Sequence, residues 1–346
     1  MQAVTVVPGT AGSARLDDVP DPRGELGSVV VEAVAVGVCG TDAEIAGGEY
    51  GWAPPGEERL ILGHESLGRV LDPGPTGLAV GDHVVGIVRR PDPVPCPNCA
   101  VGEWDMCSNG RYTERGIKQV HGFMSERWRI EPEYVVRVDK SLGVLGVLLE
   151  PTTVVAKAWA QTLTIGQRTF WDPQTVLVVG AGPIGLLAAL IGVQRGLDVH
   201  VLDRVTTGPK PALVEELGAT YHTGTVAEVG LSPDIVVECT GVYSLVQQAA
   251  NAVAPGGIVC LTGVGAPSTT GPASTLATDA VLKNLVLFGS VNANRRHYYR
   301  AAKVFAQTDR SWLEQLVTRR VRPDDVDQAL ARAPDDIKVV IEFEQP

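Results

Sequence analysis

Between Thr175 and Val193 the chain reads TVLVVGAGPIGLLAALIGV, and no other stretch restricts its fold as much. As an unbroken apolar run it has the length of a membrane span. Gly180, Gly182, Pro183 and Gly185 interrupt it at the spacing G-x-G-x-x-G. That spacing predicts a buried strand over Val176–Val179, a tight turn, and a buried helix over Ile184–Arg195. Gly180 permits the turn, Gly182 lets the backbone approach a pyrophosphate, and Gly185 lets helix and strand pack closely. The helix N-terminus after Pro183 and Ile184 then offers free amides and a positive dipole end to phosphates. Asp203 stands eighteen positions past Gly185, at the end of the next apolar run. A carboxylate there accepts from a ribose 2′-hydroxyl and repels a 2′-phosphate, which favours NAD. Arg204 beside it would hold such a phosphate, so NADP stays open. The competing reading, a packing turn with no ligand, has the flanking strand, helix and acidic residue against it.

Strand and helix patterns go on alternating: Asp198–Leu202, a helix near Ala212–Leu217, Ile235–Glu238, a helix near Leu245–Val253, Ile258–Thr262 and Leu285–Phe288. Such alternation predicts an α/β fold with a doubly wound parallel sheet covered on both faces. Before about Val155 the chain differs. Val-rich segments at Ser28–Val36, Ile61–Val70 and His83–Val88, separated by Gly and Pro turns, predict a β-rich domain. The chain closes on a strand-like Lys338–Phe343. A length of 346 residues fits two domains. The net charge of −11 comes without a basic block, which argues against nucleic acid or a membrane surface as partner. The N-terminal residues lack a basic and then apolar leader, so the expected compartment is the cytoplasm.

Three of the six cysteines, Cys96, Cys99 and Cys107, fall within twelve residues. They lie in a Pro- and Gly-rich stretch, Val88 to Phe123, too long to stay ordered without a clip. CxxC with a third cysteine eight residues on is a zinc-knuckle spacing. A closed tetrahedral site needs a fourth ligand, and Asp92 is the nearest candidate; three reduced thiols without metal is the alternative. A second set is scattered. Cys39-Gly-Thr41-Asp42 ends one Val-rich strand, Gly63-His64-Glu65 sits inside another, and Glu150 precedes the domain change. Thiolate, imidazole and carboxylate suit Zn²⁺ with an open position, where the metal would lower the pKa of an alcohol and ease hydride loss. Thr41 is placed to relay the hydroxyl proton and Asp42 to orient the ligands. Spacing alone leaves open that Cys39 is a core residue and His64–Glu65 a surface pair.

Together these residues resemble the zinc-dependent medium-chain dehydrogenase/reductase family. GVCGTD (37–42), LGHE (62–65), GDHVVG (81–86), CPNC (96–99) with Cys107, and GAGPIG (180–185) stand in the family's order. The resemblance runs from about residue 28 to the C-terminus. It implies a GroES-like catalytic domain over 1–155, completed by about 291–346, a Rossmann domain over 156–290, and a cleft between them. It also implies catalytic zinc at Cys39, His64 and Glu65, with Glu150 as a further ligand or partner of a zinc-held water. A narrower resemblance, to the glucose (aldose) 1-dehydrogenases, rests on VRRP (88–91), YTERGI (112–117), GFM (122–124), LLEP (148–151) and GSVNANRRH (289–297). It implies that Glu114, Asn292 and Glu150 meet sugar hydroxyls and that His297 lies near substrate or nicotinamide.

Two departures stand out. Pro93 occupies the place of the first of the family's four lobe cysteines, and PTTVVAKAW (151–159) lacks an acidic residue near Val154 or Ala156. The resemblance implies aldose oxidation to the lactone, while the missing acidic residue leaves another polyol open as the substrate. A secondary-alcohol, cyclitol or amino-polyol dehydrogenase is the second reading, and a non-catalytic dinucleotide-binding relative the third. A homo-oligomer, dimer or tetramer, is expected, with Val281–Phe288 at the joining edge.

Overall fold

The computed structural model describes residues 1–265 and 280–343. These fall into two compact units: Met1–Glu150 with Asn292–Ala302 and Leu313–Pro346, and Pro151–Val291 with Lys303–Trp312. The expected return of the whole tail to the first unit is therefore corrected for Lys303–Trp312. Trp312 Nε1 donates to Leu213 O at 2.9 Å, and Gln194 Nε2 to Thr308 Oγ1 at 2.9 Å, and these bonds tie the segment to the second unit.

The first unit holds strands β1 (Gln2–Val6), β2 (Arg15–Asp18), β3 (Val29–Val38), β4 (Leu60–Ile61), β5 (Glu65–Asp72), β6 (His83–Gly86), β7 (Arg89–Arg90), β8 (Thr113–Arg115), β9 (Gln119–Val120), β10 (Arg127–Ile130) and β11 (Val135–Val138). The second holds β12 (Thr175–Val179), β13 (Asp198–Leu202), β14 (Thr220–His222), β15 (Ile235–Glu238), β16 (Ile258–Leu261) and β17 (Val286–Gly289). β18 (Val317–Val321) and β19 (Lys338–Glu342) belong again to the first.

The ten residues of β3, mostly valine and alanine, form the spine of a seven-stranded sheet ordered β11-β6-β5-β3-β19-β18, with β10 also on β3. β10 pairs with the first half of β3 (Ile130 opposite Val29), and β19 with the second half (Val339 opposite Val38). β5 runs along the other side, with Gly37 opposite Glu65. Val31, Val36, Val70, Phe123, Trp128 and Ile341 share the core beneath, and the Phe123 and Trp128 rings meet edge to face at 4.8 Å. Where one strand was expected over Ile61–Val70, the chain breaks between β4 and β5. Gly63, at φ +90°, makes the break, and His64 sits in it rather than inside a strand.

The second unit is the expected parallel sheet, ordered β14-β13-β12-β15-β16-β17. Its central strands are buried along nearly their whole length, as a sheet covered on both faces requires. β14 escaped the sequence reading because this short edge strand, half exposed, carries no apolar run. β17 is the opposite edge, and Val281 and Leu282 just before it are 75% exposed. The apolar helix Leu149–Gly166 forms, with the turns before it, a segment long enough to cross a membrane, yet 72% of its most apolar window is buried inside the protein.

Gly180 adopts φ +102°, and the helix Pro183–Gln194 starts on Gly182 with Pro183 in its first turn. A Cβ on Gly185 would stand 1.7 Å from the Gly180 carbonyl oxygen. Gly185→Ala is accordingly expected to push helix and turn apart and to destabilise the protein by about 1–3 kcal/mol. Urea unfolding together with a dinucleotide titration checks this, and unchanged stability with unchanged affinity would contradict the packing argument.

Candidate active site

Where β3 ends, Cys39 caps the N-terminus of a helix, Gly40–Ala46, that the sequence reading did not anticipate. Asp42, in its first turn, accepts the Cys39 amide at 3.0 Å through Oδ2 and lies fully buried. This cap aims the Cys39 thiol: Sγ stands 3.0 Å from His64 Nε2. The other ring nitrogen, His64 Nδ1, is 3.5 Å from Asp42 Oδ1, and neither atom has a hydrogen bond of good geometry. Thr41, half buried, occupies the same first turn.

Cys39, His64 and Glu65 offer one ligand atom each, all within 4.8 Å of one another. Three residues that the sequence could not bring together are thus neighbours. A thiol against an imidazole whose far nitrogen faces a buried carboxylate is a donor set suited to zinc. Burial opposes protonation of His64, but the neighbouring Cys39 and Asp42 outweigh it and hold its pKa well above the usual value. Burial pushes the Cys39 thiol up, with His64 opposing.

Glu65 has a partner that the sequence reading missed. Lys338 Nζ lies 2.6 Å from each of its carboxylate oxygens, and both side chains are buried. The only local signal was a lysine leading the apolar run VVI in the strand KVVIE. Glu150 sits in the first turn of the helix Leu149–Gly166 and is 8% exposed. It is not part of the three-ligand cluster. Burial, reinforced by Glu65 and opposed by His64, pushes its carboxyl up to about 7.

Of the residues implied for sugar contact, Glu114 and Asn292 meet each other. Glu114 Oε1 accepts from Asn292 Nδ2 at 2.7 Å and from Arg89 Nε and a terminal Arg89 nitrogen at 3.0 Å each. Arg89, 4% exposed, stacks over Tyr112 at 3.7 Å. It too was missed, hidden in the VRRP stretch as one basic residue of two. Asn292 adopts φ +60°, and its Oδ1 accepts the Ala293 amide. His297 is 1% exposed, and its Nδ1 accepts the Asn294 amide at 3.1 Å. It thus closes a turn of its own chain instead of presenting an open ring.

Cys96, Cys99 and Cys107 do cluster, again within 4.8 Å. Cys96 Sγ accepts the amides of Cys99 and Ser108 at 3.5 Å. The Ser108 hydrogen bond, followed by the Cys99 amide, brings the Cys96 thiol down to about 6, while burial pushes Cys99 up to about 11. Asp92 is not with them. Its carboxylate accepts from Val94 N at 2.8 Å, Asn109 Nδ2 at 2.8 Å and Arg111 Nε at 3.2 Å, so it knits the lobe by hydrogen bonds. The fourth-ligand expectation for Asp92 is corrected on that ground.

In the second unit Asp203 Oδ2 accepts the Ala181 amide of the glycine turn at 2.6 Å, and Oδ1 the Val205 amide at 3.1 Å. Lys210 Nζ approaches Oδ2 to 3.3 Å, with both side chains 10% exposed. Arg204 is exposed beside them. Lys210 went unnoticed in the sequence because it lies beyond the next loop, in the first turn of helix Pro209–Glu216.

Comparison with known proteins gives the family. The model of the glucose dehydrogenase C-terminus matches residues 143–343, and that of the alcohol dehydrogenase GroES-like domain matches residues 25–140. A glucose 1-dehydrogenase of Methanocella arvoryzae is 39% identical, with 99% of each chain covered. One from Thermoproteus tenax is 39% identical, covering 99% of this chain and all of its own. The glucose dehydrogenase of Haloferax mediterranei, solved in complex with NADP, Zn and gluconolactone, superimposes with a TM-score of 0.92 at 34% identity, each chain covered fully. The chain belongs to the glucose dehydrogenases of the zinc-dependent medium-chain dehydrogenase/reductase family.

Proposed function

We propose that this chain is a zinc-dependent glucose (aldose) 1-dehydrogenase that passes the C1 hydride of the sugar to NADP⁺ or NAD⁺ and forms the lactone. The observation that carries the reading is the Cys39–His64 pair at 3.0 Å, backed by Asp42, in a chain of this family. Cys39 and His64 would hold the metal, which supplies Lewis-acid polarisation of the sugar oxygen. Asp42 orients both ligands, one through the Cys39 amide and the other through His64 Nδ1.

Oxidation releases one proton from the C1 hydroxyl as the hydride leaves. Thr41 is placed to pass that proton on. Glu150, with its carboxyl raised to about 7, can hold a proton near neutral pH and accept from a sugar hydroxyl. All three bonds to Glu114 go to Oε1, which leaves Oε2 for a vicinal hydroxyl pair. Asn292 and Arg89 then serve to present Glu114. The Cys96–Cys99–Cys107 cluster is proposed as a second, structural zinc site with its fourth position outside Asp92. The exposed edge at β17 is the proposed seam of a homo-oligomer.

For the dinucleotide, Asp203, Arg204 and Lys210 together carry one net positive charge. Lys210 neutralises the carboxylate that would repel a 2′-phosphate, and Arg204 adds a second donor. NADP is therefore the proposed preference, with NAD accepted through Asp203. The same reading has a counterpart among the relatives, since the Haloferax enzyme was solved with NADP.

A panel of aldoses and polyols with both dinucleotides tests the substrate class; turnover of polyols alone would move the assignment to a polyol dehydrogenase. Cys39→Ala is expected to lose one metal equivalent by elemental analysis and nearly all turnover while keeping dinucleotide affinity, and undiminished turnover would sink the zinc reading. Glu114→Gln should raise the glucose KM roughly tenfold, the equivalent of one charge-assisted hydrogen bond, with dinucleotide affinity unmoved in the same titrations. Lys210→Ala should weaken NADP⁺ roughly tenfold and NAD⁺ by about twofold at most; calorimetry showing equal losses would remove Lys210 from the phosphate site.

A further inference from the structure

A cavity of about 450 Å³ lies in the first unit, and none of the proposed metal or sugar residues lines it. Its size is that of a small-molecule site, about 300–1,000 Å³. Thr5, Asp17 and Ile61, on the strands of the β2-β1-β4 sheet, line it together with Arg115, His121 and Trp128. Six arginines and five carboxylates stand around it, an excess of one positive charge in a protein whose net charge is −11. Several of these charges are answered. Asp17 pairs with Arg15 at 2.7 Å and Arg59 at 3.1 Å, and Asp21 with Arg127 at 2.7 Å. Arg115 is not. It is 2% exposed, and its terminal nitrogens donate only to backbone: His121 O and Leu26 O at 3.3 Å each and Arg129 O at 2.8 Å. The carboxylate it meets, Glu131 at 3.7 Å, already accepts from Arg90 at 2.8 Å and, twice, at 3.1 Å. Arg115 Nε has no acceptor among the described residues, and Trp128 Nε1 likewise has none. Burial, reinforced by Arg90, brings the Arg115 guanidinium down to about 9 against the pull of Glu131.

We propose that this cavity binds a polyhydroxylated anion of hexose size, a sugar acid or a sugar phosphate, whose anionic group meets Arg115. A buried cation without a counter-charge is costly, and an anion in the cavity would supply one. The rest of the wall accounts for the hydroxyls. His121 Nδ1 accepts the Ile61 amide at 3.2 Å, so Nε2 donates to Glu57 Oε2 at 2.8 Å and leaves Glu57 Oε1 for a hydroxyl. Carboxylates such as Glu57 accept from hydroxyls and arginines such as Arg59 donate to them. A bare dianion would meet too many carboxylates here, and a neutral polyol would leave Arg115 unanswered. An aldonate, the hydrolysis product of a sugar lactone, has this chemistry. Its candidacy rests on the sugar-oxidation reading above; the charge argument does not.

Calorimetry on the full, metal-loaded chain tests this, in saturating glucose and without dinucleotide, so that the reaction site is filled and no turnover occurs. Gluconate and glucose 6-phosphate are the probes for the two sources of charge. One of them is expected to bind with one equivalent per chain, and the tighter identifies the anionic group. Binding of neither overturns the proposal. Inorganic phosphate bound as tightly as both would overturn the hydroxyl half, and sorbitol bound as tightly as gluconate the anionic half. Arg115→Met should weaken the bound probe roughly tenfold, the equivalent of one charge-assisted hydrogen bond, and Arg115→Lys should weaken it less. Val19→Trp, which fills the cavity from another lining residue, should abolish probe binding and leave kcat and glucose KM unchanged. Should Arg115→Met fail to fold, wild-type affinity in Val19→Trp would by itself overturn the site. A chain that binds the probe but oxidises no aldose would remove the sugar-oxidation reading and leave the cavity's assignment standing.

Discussion

The hydrogen-bond ladder of β3 is the constraint on which the first unit depends. One ten-residue strand accepts β5 along one side and β10 and β19 in succession along the other. Register then does what sequence spacing cannot. Gly37 opposite Glu65 brings His64 level with the end of β3, and Val38 opposite Val339 brings Lys338 to the same level. Cys39 is the next residue of β3's own chain. Residues 39, 64, 65 and 338 therefore share a site because two backbone pairings, β3 with β5 and β3 with β19, agree. A slip of one residue in either of them would turn a side chain to the other face of the sheet.

Such convergence also concentrates charge. Cys39, Asp42, Glu65 and Glu150 are acids in a volume that excludes water, with His64 and Lys338 as the cations beside them. Buried charges persist only when paired or metal-bound. Lys338 answers for Glu65. His64 lies between Cys39 and Asp42. Glu150, buried beside Glu65, responds by the upward shift of its carboxyl to about 7.

How far the sequence could be read follows from the same geometry. The strand, turn and helix of the second unit were legible because their parts are local: Gly180 and Gly182 stand in the turn, Gly185 in the helix it opens, and Asp203 follows the next strand, where it accepts the Ala181 amide. β15 coincides with the expected strand to the residue, since a strand buried on both faces begins as an unbroken apolar run, and β13 does so although Asp198 and His200 interrupt its apolar residues. What failed was non-local or small. The helix after Cys39 has no apolar stripe of its own, and Gly63 broke a strand that hydropathy alone reads as continuous. Asp92 is near the thiols in sequence, but its carboxylate lies outside their cluster and accepts from Val94, Asn109 and Arg111. Arg89, Lys210 and Lys338 carry no motif; each matters through one carboxylate that only the fold brings near.

The lobe and the sugar residues are not independent of the metal site, and the glycines show why. The segment from Gly116 to Phe123 lies directly on the break at Gly63. A Cβ on Gly116 would stand 2.4 Å from the Gly63 oxygen, and one on Gly122 would stand 2.2 Å from the Leu62 oxygen. Phe123 N donates to Gly63 O at 3.0 Å and Met124 N to Leu62 O at 2.9 Å. The backbone that presents His64 is therefore buttressed by the far end of the same long loop that holds Cys96, Cys99, Cys107 and Glu114. A loop that merely covered the surface would need no clip of three thiols and a buried Asp92. This one abuts the proposed metal ligand His64 and carries the proposed sugar contact Glu114, so ångström-scale movement of it would be felt at both.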